Sequence, residues 1–577
     1  MNGGSLLVQL LKDEGVDYVF GLPGTLDTAF RDALAGERDL KYILATHEFV
    51  AGTMADGYAR ASKRPSFANF HATSGPTFAT GAIYNAYLDG VPVVFSSATV
   101  ESRLIVQEQP YWPTDLTAFF RPITKWSHLV SIGDDILISL RRAFKVCGTR
   151  PEGPAFLAFP KDVLDSTCSA GQDKKSYAFS SIPRPSPPLV SAAASMLLSS
   201  KQPVMFVGDE VARYDAVDDT IELAELLALP VVTEAGFAYK SNSFPSENPL
   251  HLGLYHSSYT RKGSASDVAN SADLLFGVGC KMFVERGEYP RTRRIPPQAR
   301  VVQITSNPYE IAKNYPVDLG IVSDTSVCLR LLMEELKSRI TKRHKAVIER
   351  RRKSILRIRE TIERQRAEET KELYGATPIT GLRLAKDMFE CMARDAVLVN
   401  EGQAVASYFA HLQFKKEQTI FGQAGGALGW GLPASLGVKL AMPGRQVVAI
   451  VGDGCFSFSS QALWTARHYS IPTVTIICNN ASYLGLKATT HEYHGLSVEK
   501  GVYVGCDLYE PHIDYVKLAE SYGIGGERIE RPGDLKPALK SALNSGEPAV
   551  LDVVLDPYDT GNGRARIPQA SRVERAR

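Results

Sequence analysis

An α/β fold with parallel sheets is the expectation for this chain, and three observations carry it. Apolar runs of strand length alternate with helix-like segments along most of the sequence. The runs are rich in Val and Ile and are bounded by Gly, Pro or Asn, as in "PVVFSSA" (92–98), "PVMFVGDE" (203–210), "LLFGVG" (274–279), "QVVAIVGDG" (446–454) and "TVTIICNN" (473–480). The length, 577 residues, suits about three domains, each a mainly parallel sheet covered by helices.

Taken in order, "KYILAT" (41–46) reads as a short buried strand, and "HEFVAGTMADGYAR" (47–60) reads as a helix of small and apolar residues opening on Glu48. A carboxylate there is favoured by the positive end of the helix dipole, which by itself needs no further role. "SSIPRPSPPLV" (180–190) is rich in Pro and Ser and reads as a linker. The stretch 337–372 holds 14 Lys or Arg against 6 Asp or Glu. Val347, Ile348, Ile355, Ile358 and Ile362 recur within it at helical spacing, so it reads as a long solvated helix with one apolar stripe joining two domains. The expected blocks are 1–180, 188–340, a charged helical linker 341–374, 375–560, and a polar tail 561–577.

Composition excludes several classes. Hydrophobic residues make up 44% of the chain and the formal net charge is +2, which describes a globular protein whose main partner is not nucleic acid. No apolar run reaches membrane-spanning length, and no charged-then-apolar leader opens the chain. The eight cysteines are scattered without a CxxC pair, which argues against a disulfide framework or zinc site and for a reducing cytoplasm.

The sharpest signal is "VGDGCFSFSSQALWTARHYSIPTVTIICNN". Gly452-Asp453-Gly454 follows an apolar strand and opens a helix, and Asn479-Asn480 ends the next strand. Carboxyl ends of neighbouring strands share one crevice in an open α/β sheet, which would bring Asp453 and Asn480 together. A carboxylate and an amide oxygen are hard ligands suited to magnesium, and glycines beside a helix N-terminus suit a phosphate. A bare GDG is a common turn, and an Asn pair after a strand carries little alone.

Together at this spacing they resemble the signature of thiamin diphosphate (ThDP) enzymes. "GLPGTLDTAF", "HEFVAGTMADGYAR", "HATSGPTFATG" and "GGALGWGLPASLG" also look like motifs of the ThDP-dependent 2-oxo acid decarboxylase and acetohydroxyacid (acetolactate) synthase superfamily, its benzoylformate decarboxylase-like members included. That resemblance covers nearly the whole chain and implies a pyrimidine-binding first domain, a central Rossmann-like domain and a pyrophosphate-binding third domain. It implies magnesium held by Asp453, Asn480 and the backbone oxygen of Ser482. Gly452, Gly454, Cys455, Tyr483 and Leu484 complete the cofactor-binding segment it marks. Leu428 would wedge the cofactor into a bent shape, and the Gly426 carbonyl would receive the cofactor's amine.

In the same resemblance Glu48 holds a ring nitrogen of the aminopyrimidine, and a carboxyl group with its pKa raised by desolvation suits that task. His71 matches an active-site histidine of the benzoylformate decarboxylases, and Thr25 falls where they carry a serine. Gln107 and Glu108 resemble the polar active-site loop of carboligating members. Leu22, Leu486 and Arg286 are candidate substrate-pocket residues; Arg286 stands roughly where a second active-site histidine is missing, and an arginine near that position helps hold FAD in the synthases. FAD is therefore possible but not favoured, since "HLGLYHSSYTRKG" fits the flavin motif loosely; His251 and His256 read as surface or structural residues.

The function implied is decarboxylation of a 2-oxo acid through a ThDP enamine, with carboligation to a second carbonyl within reach. A 2-hydroxyacyl-CoA lyase or oxalyl-CoA decarboxylase-like enzyme, and a non-catalytic ThDP-fold scaffold or regulatory subunit, are the alternatives. The family's sites lie between two chains, which implies a homodimer and commonly a homotetramer. The basic helix offers a place for an acidic partner.

Overall fold

The computed structural model describes residues 1–107, 110–112, 115–169, 182–234, 241–255, 264–283 and 294–561. Three six-stranded sheets form. The first contains β1 (Tyr18–Gly21), β2 (Lys41–Leu44), β3 (Ser66–His71), β4 (Val93–Thr99), β5 (Trp126–Leu129) and β6 (Ala155–Pro160), in the order β2-β1-β3-β4-β6-β5. The second contains β7 (Pro203–Val207), β8 (Val231–Glu234), β9 (His251–Tyr255), β10 (Leu274–Val278), β11 (Arg300–Thr305) and β12 (Leu319–Val322), in the order β12-β11-β10-β7-β8-β9. The third contains β13 (Val397–Glu401), β14 (Thr419–Gly422), β15 (Val447–Gly452), β16 (Val474–Asn479), β17 (Gly525–Ile529) and β18 (Ala549–Val554), in the order β14-β13-β15-β16-β18-β17. The described pairings are parallel, with β3 against β4, β7 against β10 and β15 against β16 as the central ones.

Burial explains the sequence pattern. Every residue of β4, β6, β15 and β16 is buried, as expected for strands covered by helices on both faces. The strand expected to be buried at 41–44 is instead an edge strand: Ile43 is buried but Lys41 is exposed, because only β1 flanks it. The second sheet has the doubly wound dinucleotide-binding order. The first and third sheets share one order, counted along each as second, first, third, fourth, sixth, fifth. No repeat in the sequence announces this duplication.

The chain divides into two compact units. One gathers the first sheet and, of the third, β13 and β15 to β18, and draws on 1–180, 391–404 and 422–577. Within it the helix Glu48–Ser62 lies against the helix Gly431–Ala441, and small residues set how closely they approach. A Cβ on Gly57 would come within 2.2 Å of the Ala434 carbonyl oxygen, and one on Gly437 within 2.0 Å of the Met54 carbonyl oxygen. Val50, Met54, Tyr58, Leu432 and Leu436 fill the space around that contact in one core. A Gly437→Val substitution forces the helices apart, and it should lower stability by about 1–3 kcal/mol, read as an earlier denaturant midpoint.

A buried polar network closes the far end of this helix pair. Arg60 reaches Asp56 at 2.7 Å and Asp89 at 2.8 Å and donates to the Gly422 carbonyl at 3.0 Å, while the Trp430 indole N–H donates to Asp56 at 2.8 Å. Charges this deep are tolerated because each is paired and hydrogen-bonded.

The other unit, from 181–390 and 405–421, holds the second sheet. Its longest helix, Lys342–Tyr374, runs for 33 residues and starts at a capping box of Thr341 and His344. The expected single charged helix from 337 is thus two, since Lys337 and Arg339 end the preceding helix Thr325–Arg339. Ile348, Ile355 and Ile362 pack into the core of the second sheet, so this helix belongs to that unit. Its arginines are partly used there: Arg351 donates to the carbonyls of Leu227 and Ser200 at 2.8 and 3.1 Å, and Arg352 to that of Glu225 at 2.6 Å. These carbonyls end the helices Val217–Leu227 and Pro187–Ser199, where positive charge is favoured. The Pro-rich stretch read as a linker to 190 starts that second helix at Pro187, a residue whose fixed φ suits the first turn. No helix among the described residues is long and apolar enough to cross a membrane.

Candidate active site

In the first and third sheets the strand order reverses between the first strand and the third. Loops leaving the carboxyl ends of such a pair diverge and open a crevice, the usual ligand seat of open parallel sheets. The pair is β13 and β15 in the third sheet, and β1 and β3 in the first.

At the end of β15, Asp453 opens the short helix Asp453–Ser457 and is 3% exposed. Its Oδ1 accepts the Gly454 N–H at 2.8 Å and its Oδ2 accepts the Asn480 N–H at 3.1 Å. Neighbouring β16 ends at Asn479, so the register delivers Asn480 to that carboxylate. Asn480 Oδ1 in turn accepts the Ser482 N–H at 3.1 Å. The chain then pairs with Cys506, whose carbonyl accepts from Tyr483 N–H at 2.8 Å and Ser482 Oγ at 2.9 Å. The Tyr483 ring lies over Gly454, where a Cβ would come within 2.3 Å of it. Asp453, Gly454, Asn480, Ser482 and Tyr483 are thereby brought together; the motif spacing predicts the meeting of Asp453 and Asn480.

Burial pushes the Asp453 carboxyl up from its ordinary 3.8 to about 6, against the pull of the surrounding backbone N–H donors. A bound cation would reverse that shift. Among the described residues no group of three or more His, Cys, Asp or Glu is placed to hold a metal. The donors here are one carboxylate, one side-chain amide and main-chain carbonyls, an oxygen set that suits a hard ion such as magnesium. Cys455, buried beside this turn, has its thiol pushed up by burial and accepts a 3.8 Å contact from Gln403 Nε2. Leu484 is buried, whereas Leu486 is 62% exposed and turned to the surface.

The glycine-rich segment forms a loop before the helix Gly431–Ala441. Gly426 and Gly429 have φ of +76° and +90°, conformations that favour glycine. Leu428 is half-buried between them.

In the first sheet's half, Glu48 is the first residue of its helix, capped by His47, and is 7% exposed. Desolvation raises its pKa above the ordinary 4.5, opposed by its own backbone N–H and by His47. His71 ends β3, with its ring against the loop after β1: a Cβ on Gly24 would fall 1.9 Å from Nδ1. That Nδ1 is buried without a hydrogen-bond partner among the described residues, and desolvation lowers the ring's pKa from 6.5. Gly75 lies on the turn after His71, with a Cβ there 3.5 Å from Glu48 Oε1, so Glu48 and His71 flank one turn. Leu22 is half-buried and Thr25 exposed on the facing loop, and Asp27 precedes the helix Thr28–Ala35. Gln107 ends an exposed 3-10 turn, and Glu108, His256 and Arg286 lie outside the described residues. His251 is a buried structural residue held by Thr233 at 2.9 Å.

No hydrogen bond or ion pair among the described residues joins Glu48 or His71 to Asp453 or Asn480.

Three buried polar residues escape the motif reading. Glu401, at the end of β13, accepts three successive N–H groups, from Gly429 at 3.0 Å, Trp430 at 3.2 Å and Gly431 at 2.7 Å. Desolvation lifts its carboxyl to about 7 even so. Asn85 accepts the Ala427 N–H at 3.2 Å and donates to the Ala427 carbonyl at 3.0 Å. Asp27 accepts from Gly24 N–H at 3.3 Å, Arg31 at 2.8 Å and Asn69 at 3.0 Å, which holds the loop facing His71. For Glu401 a signal exists: "VLVNEG" is an apolar run that ends on an acid beside glycine, as does "VAIVGDG". Asn85 and Asp27 carry no such mark within their helical or loop segments.

Family models match all three sheets: thiamine pyrophosphate enzyme, N-terminal TPP binding domain over 1–119, central domain over 190–332, and C-terminal TPP binding domain over 401–553. The chain is 31% identical to the probable acetolactate synthase large subunit of Methanocaldococcus jannaschii, over 100% of this chain and 96% of that one. It is 29% identical to the benzoylformate decarboxylase of Pseudomonas aeruginosa, over 94% of this chain and 97% of that one. Among solved structures, the thiamine diphosphate-dependent 4-hydroxybenzoylformate decarboxylase of Rhodococcus jostii RHA1 superposes with a TM-score of 0.83 at 25% identity, covering 96% of this chain and 100% of that one. The chain belongs to the thiamin diphosphate enzyme family, in the branch of acetolactate synthases and 2-oxo acid decarboxylases.

Proposed function

We propose that this protein decarboxylates a 2-oxo acid with ThDP and magnesium and joins the remaining acyl unit to a second carbonyl. The observation that carries the reading is the buried Asp453 carboxylate drawn onto Asn480 at the switch point of the third sheet. Asp453, Asn480 and the Ser482 main chain would hold the metal that ties the cofactor's diphosphate to the protein. ThDP, when bound, supplies the electron sink that allows the carbon–carbon bond beside the carbonyl to break.

The chain's own groups handle the proton. Glu48, whose pKa is raised by desolvation, would offer its carboxyl to the pyrimidine ring nitrogen. Release of an aldehyde is the second reading. It is favoured by His71, an imidazole at the end of β3 whose Nδ1 is buried without a hydrogen-bond partner among the described residues and whose pKa desolvation lowers from 6.5.

The test is incubation with ThDP, magnesium and either pyruvate or benzoylformate, with products identified by NMR. Acetolactate or another hydroxyketone is the expected result. Free aldehyde as the sole product would replace carboligation by simple decarboxylation, and no carbon dioxide from either acid would overturn the substrate class.

A further inference from the structure

Leu428 stands between two polar clamps that come from different sheets' halves of the same unit. On its N-terminal side the fully buried Asn85, on the helix Thr80–Asp89, grips Ala427 through both amide atoms. The grip needs the neighbouring glycine, since a Cβ on Gly425 would fall 2.1 Å from Asn85 Oδ1. On its C-terminal side Glu401 gathers the N–H groups of Gly429, Trp430 and Gly431. Here too the approach is close, with a Cβ on Gly431 only 3.0 Å from Glu401 Cβ. The Trp430 side chain is anchored separately, by its indole N–H on Asp56.

A carboxylate that gathers three successive backbone N–H groups does a specific job: it fixes where a turn begins. A side-chain amide bonded to both the N–H and the carbonyl of one residue fixes that residue's peptide orientation. With residues 427 and 429 both held, the Cα of residue 428 has little freedom. Neither clamp belongs to the metal cluster or to the Glu48 turn.

We propose that Asn85 and Glu401 are positioning residues that together set the place of Leu428, and through it the bent shape the cofactor must adopt for its reactive carbon to meet its own amine. The inference rests on the ThDP reading above. A displacement on the order of 1 Å in such a contact is enough to slow a reaction by about a hundredfold.

A double-mutant cycle tests it on the full-length protein, with Glu401→Gln, Asn85→Ser and Leu428→Ala alone and in pairs. Backbone hydrogen exchange of the cofactor-free protein is read over 425–431, and deuterium exchange at the thiazolium carbon of bound ThDP is read by NMR. Glu401→Gln and Asn85→Ser should each speed amide exchange in 425–431. Each should also slow exchange at the cofactor carbon by about tenfold or more, while ThDP affinity changes by less than about threefold. In the Leu428→Ala background those two substitutions should cause no further slowing. Equal slowing in both backgrounds, or unchanged amide exchange, would overturn the proposal. Should Glu401→Gln fail to fold, Glu401→Asp and Asn85→Ser run the same cycle. A wild-type protein that binds no ThDP sinks the functional reading instead, while the amide exchange still reports on the clamps.

Discussion

Glu48→Gln is expected to lower turnover of any accepted 2-oxo acid by about 10²- to 10⁴-fold while leaving the fold and ThDP binding in place. The substitution keeps the size of the side chain and its place in the first turn of the helix but removes the exchangeable carboxyl proton. A role confined to the helix dipole would give a different result: a stability change of about 0.3–1 kcal/mol and no loss of rate. Because burial raises the Glu48 pKa, the neutral glutamine imposes no new desolvation cost, and the thermal midpoint at neutral pH should hold or rise slightly. Turnover measured by carbon dioxide release, beside ThDP titration of both proteins, separates the two roles.

Asp453→Asn is expected to act oppositely on cofactor and fold. Loss of a group that merely orients a ligand weakens metal sites by about 10- to 100-fold, so loss of this carboxylate should weaken magnesium-dependent ThDP binding by more than about 100-fold. In the metal-free wild type the folded pKa, about 6, lies above the ordinary 3.8. The folded protein thus holds the proton more tightly than the unfolded chain, and this contribution to stability is full at low pH and lost as pH rises through about 6. Its size is on the order of 3 kcal/mol. The metal-free Asp453→Asn variant should therefore melt above the metal-free wild type at pH 8, with the difference shrinking toward pH 4. Magnesium affinity of the wild type should climb as pH rises toward about 6 and level off above it, since only the ionised carboxylate binds. Calorimetry with and without magnesium across that range checks both halves.

The fold class and the chemistry-bearing turns were legible because each is written locally. Val- and Ile-rich runs mark strands, and GDG or Asn-Asn at a strand end marks the crevice. What was not legible depends on pairing across the chain. Lys41–Leu44 reads as apolar, yet its place at the sheet edge follows from having one neighbour, a fact of order and not of composition. Glu401 carries the mark of a strand-end acid, but its task is set only when three N–H groups separated from it by some thirty residues converge on it. Asn85 sits in an ordinary helix and acquires its task only from a loop more than three hundred positions away. The matching strand orders of the first and third sheets are likewise invisible, because topology can persist where residue identity does not.

The close packing of Glu48–Ser62 on Gly431–Ala441 also bears on how the polypeptide is made. Thirteen of the fifteen residues of the earlier helix are buried, and the later helix supplies much of that cover. A ribosome adding about 5–20 residues per second needs roughly 20 to 80 s to travel from one to the other. During that interval the nascent first sheet carries an apolar face with nothing against it, while the second sheet, whose 203–322 strands emerge in one block, can close on itself. The intervening block, once folded, shortens the span that the ends of the discontinuous unit must bridge. Chains that stop before Gly431 keep that face open and are expected to partition into the insoluble fraction, so the last quarter of the message decides the solubility of the first third.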